Sequence, residues 1–247
     1  MIIYVFDGSF EGYLTSIYES YYKDKKPDLI ITEEDCELNL IDEFININTD
    51  YEKANKVYES MNKNFPYTVI KNILYCFLSS YSNVHTLLYK YIRLAFKLKS
   101  EIEFHLNNEI VMEVMKISRK VDTERHSMLG FVRFKKIGNN CYYSVIEPDH
   151  NILTLIAPHF SNRFPNETFI IHDIKRELAV INKDNNWKID VLTKEEGRIF
   201  LSAKDEGDYE ELWKNYFNAT SISNRKNLKL QRQHMPIRYW KHLTEKL

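Results

Sequence analysis

In the first half of the chain, short runs of apolar residues alternate with longer segments in which apolar residues recur at helical spacing. The apolar runs Ile2–Phe6 and Leu29–Thr32 predict two strands, and a third is expected within Leu38–Asn48. From Tyr67–Leu98 the apolar residues recur at helical spacing over a length unusual for one helix, so a break is expected near Ser79–Asn83. Strand, helix and strand in succession indicate a small parallel or mixed sheet in a helix-rich half.

After Gly130 the apolar residues change from helical to alternating spacing. Phe131–Lys136 and Cys141–Ile146 predict two strands joined as a hairpin. Asp149 is expected to cap a short helix that Pro158 kinks or ends, because proline has no backbone N–H to donate. Three further strands are expected at Phe169–His172, Leu178–Asn182 and Lys188–Leu192, and a last helix is expected at Asp208–Asn218.

These elements predict a protein of the α/β or α+β class. A helix-rich N-terminal half with a small sheet is followed by a ββαβββ segment, a C-terminal helix and a basic tail. We expect residues 1–120 to form the first region, residues 121–220 a strand-rich region, and residues 221–247 the tail. Few Gly or Pro residues mark the boundary near residue 120, so the two halves are expected to pack as one unit.

The net charge of −1 conceals an asymmetry between the two ends of the chain. Residues 1–60 contain 14 Asp or Glu and 5 Lys or Arg, whereas residues 221–247 contain 7 Lys or Arg and one acid. A basic end on a protein of nearly neutral charge can bind a polyanion. It can equally dock on the acidic N-terminal half, and charge alone does not separate the two interpretations.

Several classes of protein are disfavoured by the sequence. No apolar run reaches the ~20 residues that cross a bilayer, and the first residues are typical of a strand and not of a signal peptide. Cys36, Cys76 and Cys141 form neither a disulfide framework nor a paired metal-ligand spacing, so a reduced, cytoplasmic protein is expected. The sequence has no Gly-rich phosphate loop, no Gly-x-Ser-x-Gly, no His-Glu-x-x-His and no Cys-x-x-x-Cys-x-x-Cys for an iron–sulfur cluster.

Two short segments concentrate groups suited to acid–base chemistry. One is Glu124-Arg125-His126, and the other is Glu147-Pro148-Asp149-His150 at a predicted strand end. Two carboxylates and an imidazole suit a divalent metal or proton transfer, but a strand exit followed by an Asp helix cap explains the second segment equally well. Asp173 would join this cluster if its strand is adjacent. The candidate catalytic residues are therefore His126, Glu147, His150 and Asp173, with no particular metal indicated.

The C-terminal residues alternate basic side chains with Gln, His and aromatic residues, a pattern typical of nucleic-acid binding. Tyr239 and Trp240 could stack on bases, or they could anchor the tail in the core. We also expect His126, Arg133, Glu147, His150 and Arg163 to gather at one groove. The candidate nucleic-acid-binding residues are Arg125, Arg133, Arg163, Arg225, Lys226, Lys229, Arg232, Arg238, Tyr239 and Trp240.

Four motifs carry a resemblance to a known family. They are Glu-Arg-His-x-Met-x-Gly-Phe-Val-Arg-Phe (124–134), Ile-Glu-Pro-Asp-His-Asn-Ile-Leu (146–153), Ala-Pro-His-Phe-x-x-Arg-Phe (157–164) and Arg-Lys-Asn-x-x-Leu-Gln-Arg-Gln-x-Met-Pro-x-Arg-Tyr-Trp (225–240). With these motifs the chain resembles a bacterial family of DNA repair or DNA metabolism proteins, over essentially its whole length. The family contains a domain of unknown function that is also found fused to uracil-DNA-glycosylase-type domains, and its members are paired with a DNA-modifying radical-SAM protein.

This resemblance implies a DNA repair context and leaves catalysis open, since the glycosylase motifs themselves are absent from the sequence. The first interpretation is a DNA-binding accessory protein of a repair or base-modification system that acts with a radical-SAM partner. The second is an enzyme that acts on damaged DNA, and the third is a protein-interaction scaffold that does not contact nucleic acid. A salt-dependent DNA shift would separate the first two from the third.

Overall fold

The computed structural model describes residues 1–37, 39–138, 140–202 and 228–243. The chain forms two compact units, Met1–Asp122 and Thr123–Leu247. The fold is of the mixed α/β class, as the sequence predicts, with helices dominating the N-terminal half and a larger sheet following it. In the described part of the chain, no helix combines the length and the apolar character needed to cross a membrane.

The first unit is built around a small parallel sheet. Its strands are β1 (Ile2–Phe6), β2 (Leu29–Thr32) and β3 (Glu43–Asn46), in the order β2-β1-β3, and β1 pairs in parallel with both neighbours. Helix α1 (Phe10–Tyr22) follows β1 and is capped by Ser9, whose hydroxyl accepts the Gly12 N–H at 2.9 Å. The predicted strand–helix–strand order and the parallel pairing are confirmed.

Helices cover this sheet and enclose the core of the first unit. The expected break in the long apolar pattern falls between the helix that ends at Phe77 and the helix that begins at Val84. Asn108 caps the last helix through its side-chain oxygen, which accepts the N–H groups of Ile110 and Val111. The helical elements are α2 (Tyr51–Asn64), α3 (Tyr67–Phe77), α4 (Val84–Leu98), a 3-10 helix (Lys99–Phe104) and α5 (Glu109–Phe131).

The second unit contains a five-stranded sheet in the order β4-β5-β6-β7-β8. The neighbours β5 and β6 are parallel and the other pairs are antiparallel. Helix α6 (Leu153–Arg163) connects the two parallel strands, so the expected ββαβββ order is confirmed. The strands are β4 (Lys135–Gly138), β5 (Cys141–Ile146), β6 (Thr168–Asp173), β7 (Leu178–Lys183) and β8 (Asn186–Val191).

Further helices of the second unit follow the sheet. They are α7 (Lys194–Ser202), α8 (Leu228–His234) and a 3-10 helix (Ile237–His242). Helix α7 was not among the predicted elements. The expected helix at Asp208–Asn218 lies outside the described residues.

Two local predictions are wrong, and of the two effects expected of Pro158 the helix end does not occur. Helix α5 continues to Phe131, so the strand expected from Phe131 begins only at Lys135. Asp149 does not cap α6, whose N-cap position is Ile152 and has no side-chain hydrogen bond. Pro158 lies inside α6, which continues for five residues beyond it. The cap prediction failed because the segment at Asp149 is engaged elsewhere: its N–H donates to Glu124, and its side chain lies 2.7 Å from Arg238 Nη2.

Candidate functional site

The carboxyl ends of β5 and β6 lie side by side, which brings Asp173 to the segment that follows β5. Val145 pairs with His172 and Ile146 with Asp173 in the parallel register. Asp173 is fully buried, and Arg176 Nη1 donates to its Oδ2 at 2.7 Å. Because this carboxylate is held by an arginine, it neutralises a charge and shapes the turn after β6.

Arg176 also ties the turn after β6 to the segment after β5. Its Nη1 donates to the carbonyl oxygen of Pro148 at 3.2 Å, and its Nη2 donates to the carbonyl oxygen of Asp149. One guanidinium group therefore bonds to both strand ends. The carboxylate–proline–carboxylate segment is thus held through its backbone carbonyl groups, and not as the helix cap that the sequence offered as an alternative.

Glu124 is the centre of a buried polar network in the second unit. The side chain lies on α5 and is 8% exposed. Its Oε1 accepts the N–H of Asp149 at 2.8 Å, and its Oε2 accepts the N–H of His150 at 2.9 Å. Two backbone donors that would otherwise be buried without a partner are thereby satisfied.

The C-terminal residues complete this network. The Tyr239 hydroxyl donates to Glu124 Oε1, and burial together with this bond raises the pKa of the tyrosine. Arg238 Nη2 lies 2.7 Å from Asp149 Oδ2 and 3.6 Å from Glu124 Oε1. Tyr239 is 4% exposed and its ring contacts Phe131 at a centroid distance of 5.6 Å. These contacts favour the anchoring role for Tyr239.

The next residues of the tail reach Glu147. Trp240 Nε1 donates to the carbonyl oxygen of Met235 at 2.8 Å, within the tail itself. Lys241 Nζ lies 2.6 Å from Glu147 Oε2, and His242 Nε2 lies 3.5 Å from Glu147 Oε1. Burial lowers the pKa of His242, although Glu147 opposes that shift. Glu147 thus forms ion-pair contacts with the tail.

The other candidates occupy separate helices. His126 is exposed on α5, where the adjacent Arg125 is half-buried, and Arg163 ends α6 with its guanidinium over the Phe164 ring at 5.8 Å. His126 and His159 both lie within helices, α5 and α6 respectively. Lys229 and Arg232 are exposed on α8. Arg225 and Lys226 lie outside the described residues.

A pocket of 460 Å³ opens in the second unit and carries a concentration of basic side chains. Among its lining residues in the described part of the chain, Asp and Glu are absent. The cationic residues of the lining are Arg133, Lys135, Lys194, Arg198 and Lys241, and His242 adjoins them. The other lining residues are Phe134, Tyr143, Val145, Ile174, Gly197 and Leu201.

Of the five residues expected at one groove, Arg133 lines this pocket. Glu147 meets the pocket through its contacts with Lys241 and His242. His126, His150 and Arg163 are not among the lining residues. The gathering of all five at a single groove stays a prediction.

One face of α7 forms a wall of the pocket. Lys194, Gly197, Arg198 and Leu201 recur at intervals of three and one, which places them on a single side of a helix. The glycine allows α7 to approach the sheet, because a Cβ at Gly197 would lie 2.7 Å from both Tyr143 Oη and His172 Nδ1. A side chain there would push the helix away from the sheet.

Beneath α7, Tyr143 and His172 form a buried pair on the neighbouring strands β5 and β6. The Tyr143 hydroxyl and His172 Nδ1 are 2.7 Å apart. Burial raises the pKa of Tyr143 to about 12 and lowers the pKa of His172. Both groups are therefore neutral near pH 7, so the floor of the pocket adds no charge to its cationic walls.

The sequence candidates included only Arg133 among the pocket's basic residues. Lys135, Lys194, Arg198, Lys241 and His242 were missed, as was the pairing of Tyr143 with His172. The helical spacing of Lys194, Arg198 and Leu201 was a usable signal once α7 was recognised. The tyrosine–histidine pair gave no signal, because 29 residues separate the two in sequence.

Metal binding finds no support in the residues that the structure describes. Within residues 1–37, 39–138, 140–202 and 228–243, no group of three or more His, Cys, Asp or Glu side chains is arranged to hold a metal ion. The three cysteines are free thiols. The concentrated charge of this unit is positive, which suits an anion.

Comparison with known proteins gave one match. A family model described as a domain of unknown function, DUF4130, matches residues 82–245. Neither the curated proteins nor the solved structures contain a match to the chain.

Proposed function

The chain belongs to the DUF4130 family, and on that premise we propose that it is a DNA-binding accessory protein of a DNA repair or base-modification system that acts with a radical-SAM partner. The observation that carries the proposal is the pocket of the second unit, where five Lys or Arg side chains line one opening. The repair context and the partner come from the resemblance of the four sequence motifs.

The charge of the pocket is suited to a phosphate-bearing polymer. Clefts lined by charge of one sign concentrate their field and attract ligands of opposite sign. Arginine binds phosphate through two parallel hydrogen bonds and lysine binds it as a point charge. Lys194 and Arg198 are exposed on α7 and can therefore reach a phosphate at the mouth.

The ion pairs of the candidate catalytic carboxylates favour a binding role over an enzymatic one. Asp173 is held by Arg176, and Glu147 contacts Lys241 and His242. The oxygens of both carboxylates are therefore already in contact with cationic or backbone groups of the protein itself. The polar residues that seemed suited to catalysis instead join strand ends and the tail.

The salt dependence of DNA binding tests this function. A 5′-hydroxyl duplex should bind with a negative slope of log K against log salt, because phosphate contacts release counterions. Replacing Lys194 and Arg198 by Ala removes two cations and should flatten the slope by about 2, at ~0.9 for each phosphate contact. The matched control replaces Lys183 and Lys188, which are exposed and lie outside the pocket lining, and should retain the wild-type slope.

Other outcomes would contradict this assignment. Equal slopes for wild type and the pocket variant would place any DNA contact elsewhere. Absence of DNA binding by the folded protein would leave the scaffold interpretation, and turnover of a lesion-bearing oligonucleotide would favour the enzyme. The partner is tested separately, by co-purification with a radical-SAM protein expressed beside this chain.

A further inference from the structure

The volume of the basic pocket limits what can enter it. A pocket of 460 Å³ corresponds to a cube with an edge of about 8 Å, which is narrower than the ~12 Å major groove of B-DNA alone. A duplex therefore cannot enter the pocket, although its backbone can lie across the mouth. The volume falls within the ~300–1,000 Å³ typical of small-molecule sites.

The lining combines two kinds of surface. Lys194 and Arg198 provide charge from α7, and Arg133 and Lys135 provide it from the start of β4. The remaining lining is largely apolar or aromatic, and it is contributed by Phe134, Tyr143, Val145, Ile174 and Leu201. Tyr143 and Val145 are two residues apart on β5 and so face the same side of the sheet.

A ligand that fits both surfaces must have an anionic group joined to an apolar or aromatic body. A phosphate ion alone would leave the apolar lining unused, whereas an uncharged base or nucleoside would make no use of the charges of Lys194 and Arg198. We propose that the pocket binds a single nucleotide through a terminal phosphate, as a nucleoside 5′-monophosphate or as the 5′-phosphorylated end of a DNA strand. This inference rests on the proposed function and narrows it to one class of ligand.

The close packing of α7 on the sheet supports a built site. Gly197 permits contact with the Tyr143–His172 pair, so the backbone of α7 lies close against the sheet. Lys241, another lining residue, is held by its ion pair with Glu147. A preorganised arrangement of this kind lowers the ordering cost of binding a small ligand.

Calorimetric titration of the full chain with defined probes tests the proposal. Thymidine 5′-monophosphate should bind about 10- to 100-fold more tightly than thymidine, the range expected for one charge-assisted hydrogen bond. It should also bind more tightly than inorganic phosphate, because only the nucleotide uses the apolar lining. The Lys194→Ala, Arg198→Ala variant should lose at least tenfold in affinity, and the Lys183→Ala, Lys188→Ala control should match wild type.

Two duplexes of the same sequence separate the sources of the phosphate. Tighter binding of the 5′-phosphorylated duplex than of the 5′-hydroxyl duplex would support recognition of a strand end. Binding of the monophosphate without such a preference would support a free nucleotide. Equal affinities for thymidine and its monophosphate, or for inorganic phosphate and the nucleotide, would overturn the proposal.

Failure of this inference differs from failure of the proposed function. Salt-dependent binding of the 5′-hydroxyl duplex without binding of the monophosphate would retain the DNA-binding role and reject the nucleotide site. Binding of the monophosphate without any affinity for DNA would retain the nucleotide site and reject the DNA-binding role. Circular dichroism of each variant shows that a lost affinity is not lost folding.

Discussion

Glu124 shows how one side chain can bond to two segments that are distant from it in sequence. Its carboxylate accepts the N–H groups of Asp149 and His150 and the hydroxyl of Tyr239. The sequence placed this glutamate beside a histidine and suggested acid–base chemistry. The structure gives it buried donors, and two of them are backbone amides that no side-chain pattern reveals.

Replacing Glu124 by Ala should therefore reduce the stability of the second unit. Two buried donors and one partly buried donor lose their acceptor. At ~1–3 kcal/mol for each buried donor, we expect the free energy of unfolding to fall by about 3 kcal/mol or more. Urea unfolding followed by tryptophan fluorescence measures this unit, because all three tryptophans (Trp187, Trp213 and Trp240) lie beyond residue 122.

The control for this prediction is Lys188→Ala. Lys188 is an exposed partner of Asp190 in the same unit, and loss of such a pair should change the free energy of unfolding by no more than about 0.5 kcal/mol. Equal, small effects of the two substitutions would show that the Glu124 network does not stabilise the fold.

At the scale of elements, strands and helices were predicted well in segments where the apolar residues kept a single spacing, either helical or alternating. The sheet strands and the break between α3 and α4 follow from local spacing of apolar residues. The start of β4 was misplaced because Phe131 and Val132 have side chains that suit either a strand or the end of a helix. Backbone bonding decides the matter, since the Val132 N–H still donates to Met128 in helical fashion at 3.2 Å.

The candidate site was less predictable than the fold, for a physical reason. The pocket combines a face of α7, one face of β5 and the end of the tail, and only the tertiary arrangement brings these together. Charge composition identified the tail as basic, but Arg238 and Lys241 are drawn to Asp149 and Glu147. The cations of α7 were overlooked because two acids separate them in Lys194-Glu195-Glu196-Gly197-Arg198.

The packing of α7 leads to a prediction with an internal control. Gly197→Ala places a Cβ 2.7 Å from Tyr143 Oη and His172 Nδ1. We expect lower stability of the second unit, although alanine in a helix interior normally adds about 0.5–1 kcal/mol relative to glycine. Urea unfolding measures the difference.

Gly130→Ala is the matched substitution in α5. A Cβ at Gly130 meets nothing within 4 Å among the described residues, so this variant should gain about 0.5–1 kcal/mol. A gain of similar size at Gly197 would mean that α7 does not need its close approach to the sheet.

On the scale of the whole molecule, buried histidines connect stability to pH. Burial lowers the pKa of His85 in the first unit and of His172 and His242 in the second, below the ordinary value of 6.5. As pH falls through 6.5, the unfolded chain binds protons that the folded chain does not. The free energy of unfolding must therefore decrease over this range and level off below the folded pKa values.

We expect the urea concentration that half-unfolds the second unit to decrease as the pH is lowered from 7.5 to 5.5. In the His172→Asn variant this decrease should be smaller. The carboxyl groups of Glu19 and Glu196 have lowered pKa values. Their contribution to the free energy of unfolding is lost at more acidic pH, below their ordinary pKa of 4.5. His159→Asn replaces an exposed histidine and should retain the wild-type pH dependence. The same pH dependence in His172→Asn as in wild type would exclude this histidine as a source of the effect.

The bond between Tyr239 and Glu124 also has a consequence for the order of folding, since 115 residues separate its two ends. During synthesis at ~5–20 residues per second, Tyr239 is added about 6 to 23 s after Glu124. Throughout that interval the Glu124 carboxylate and the strand ends that it joins depend on water for their remaining hydrogen bonds. Residues 1–122 have a hydrophobic core of their own. They can therefore fold before the second unit forms its bond between Tyr239 and Glu124.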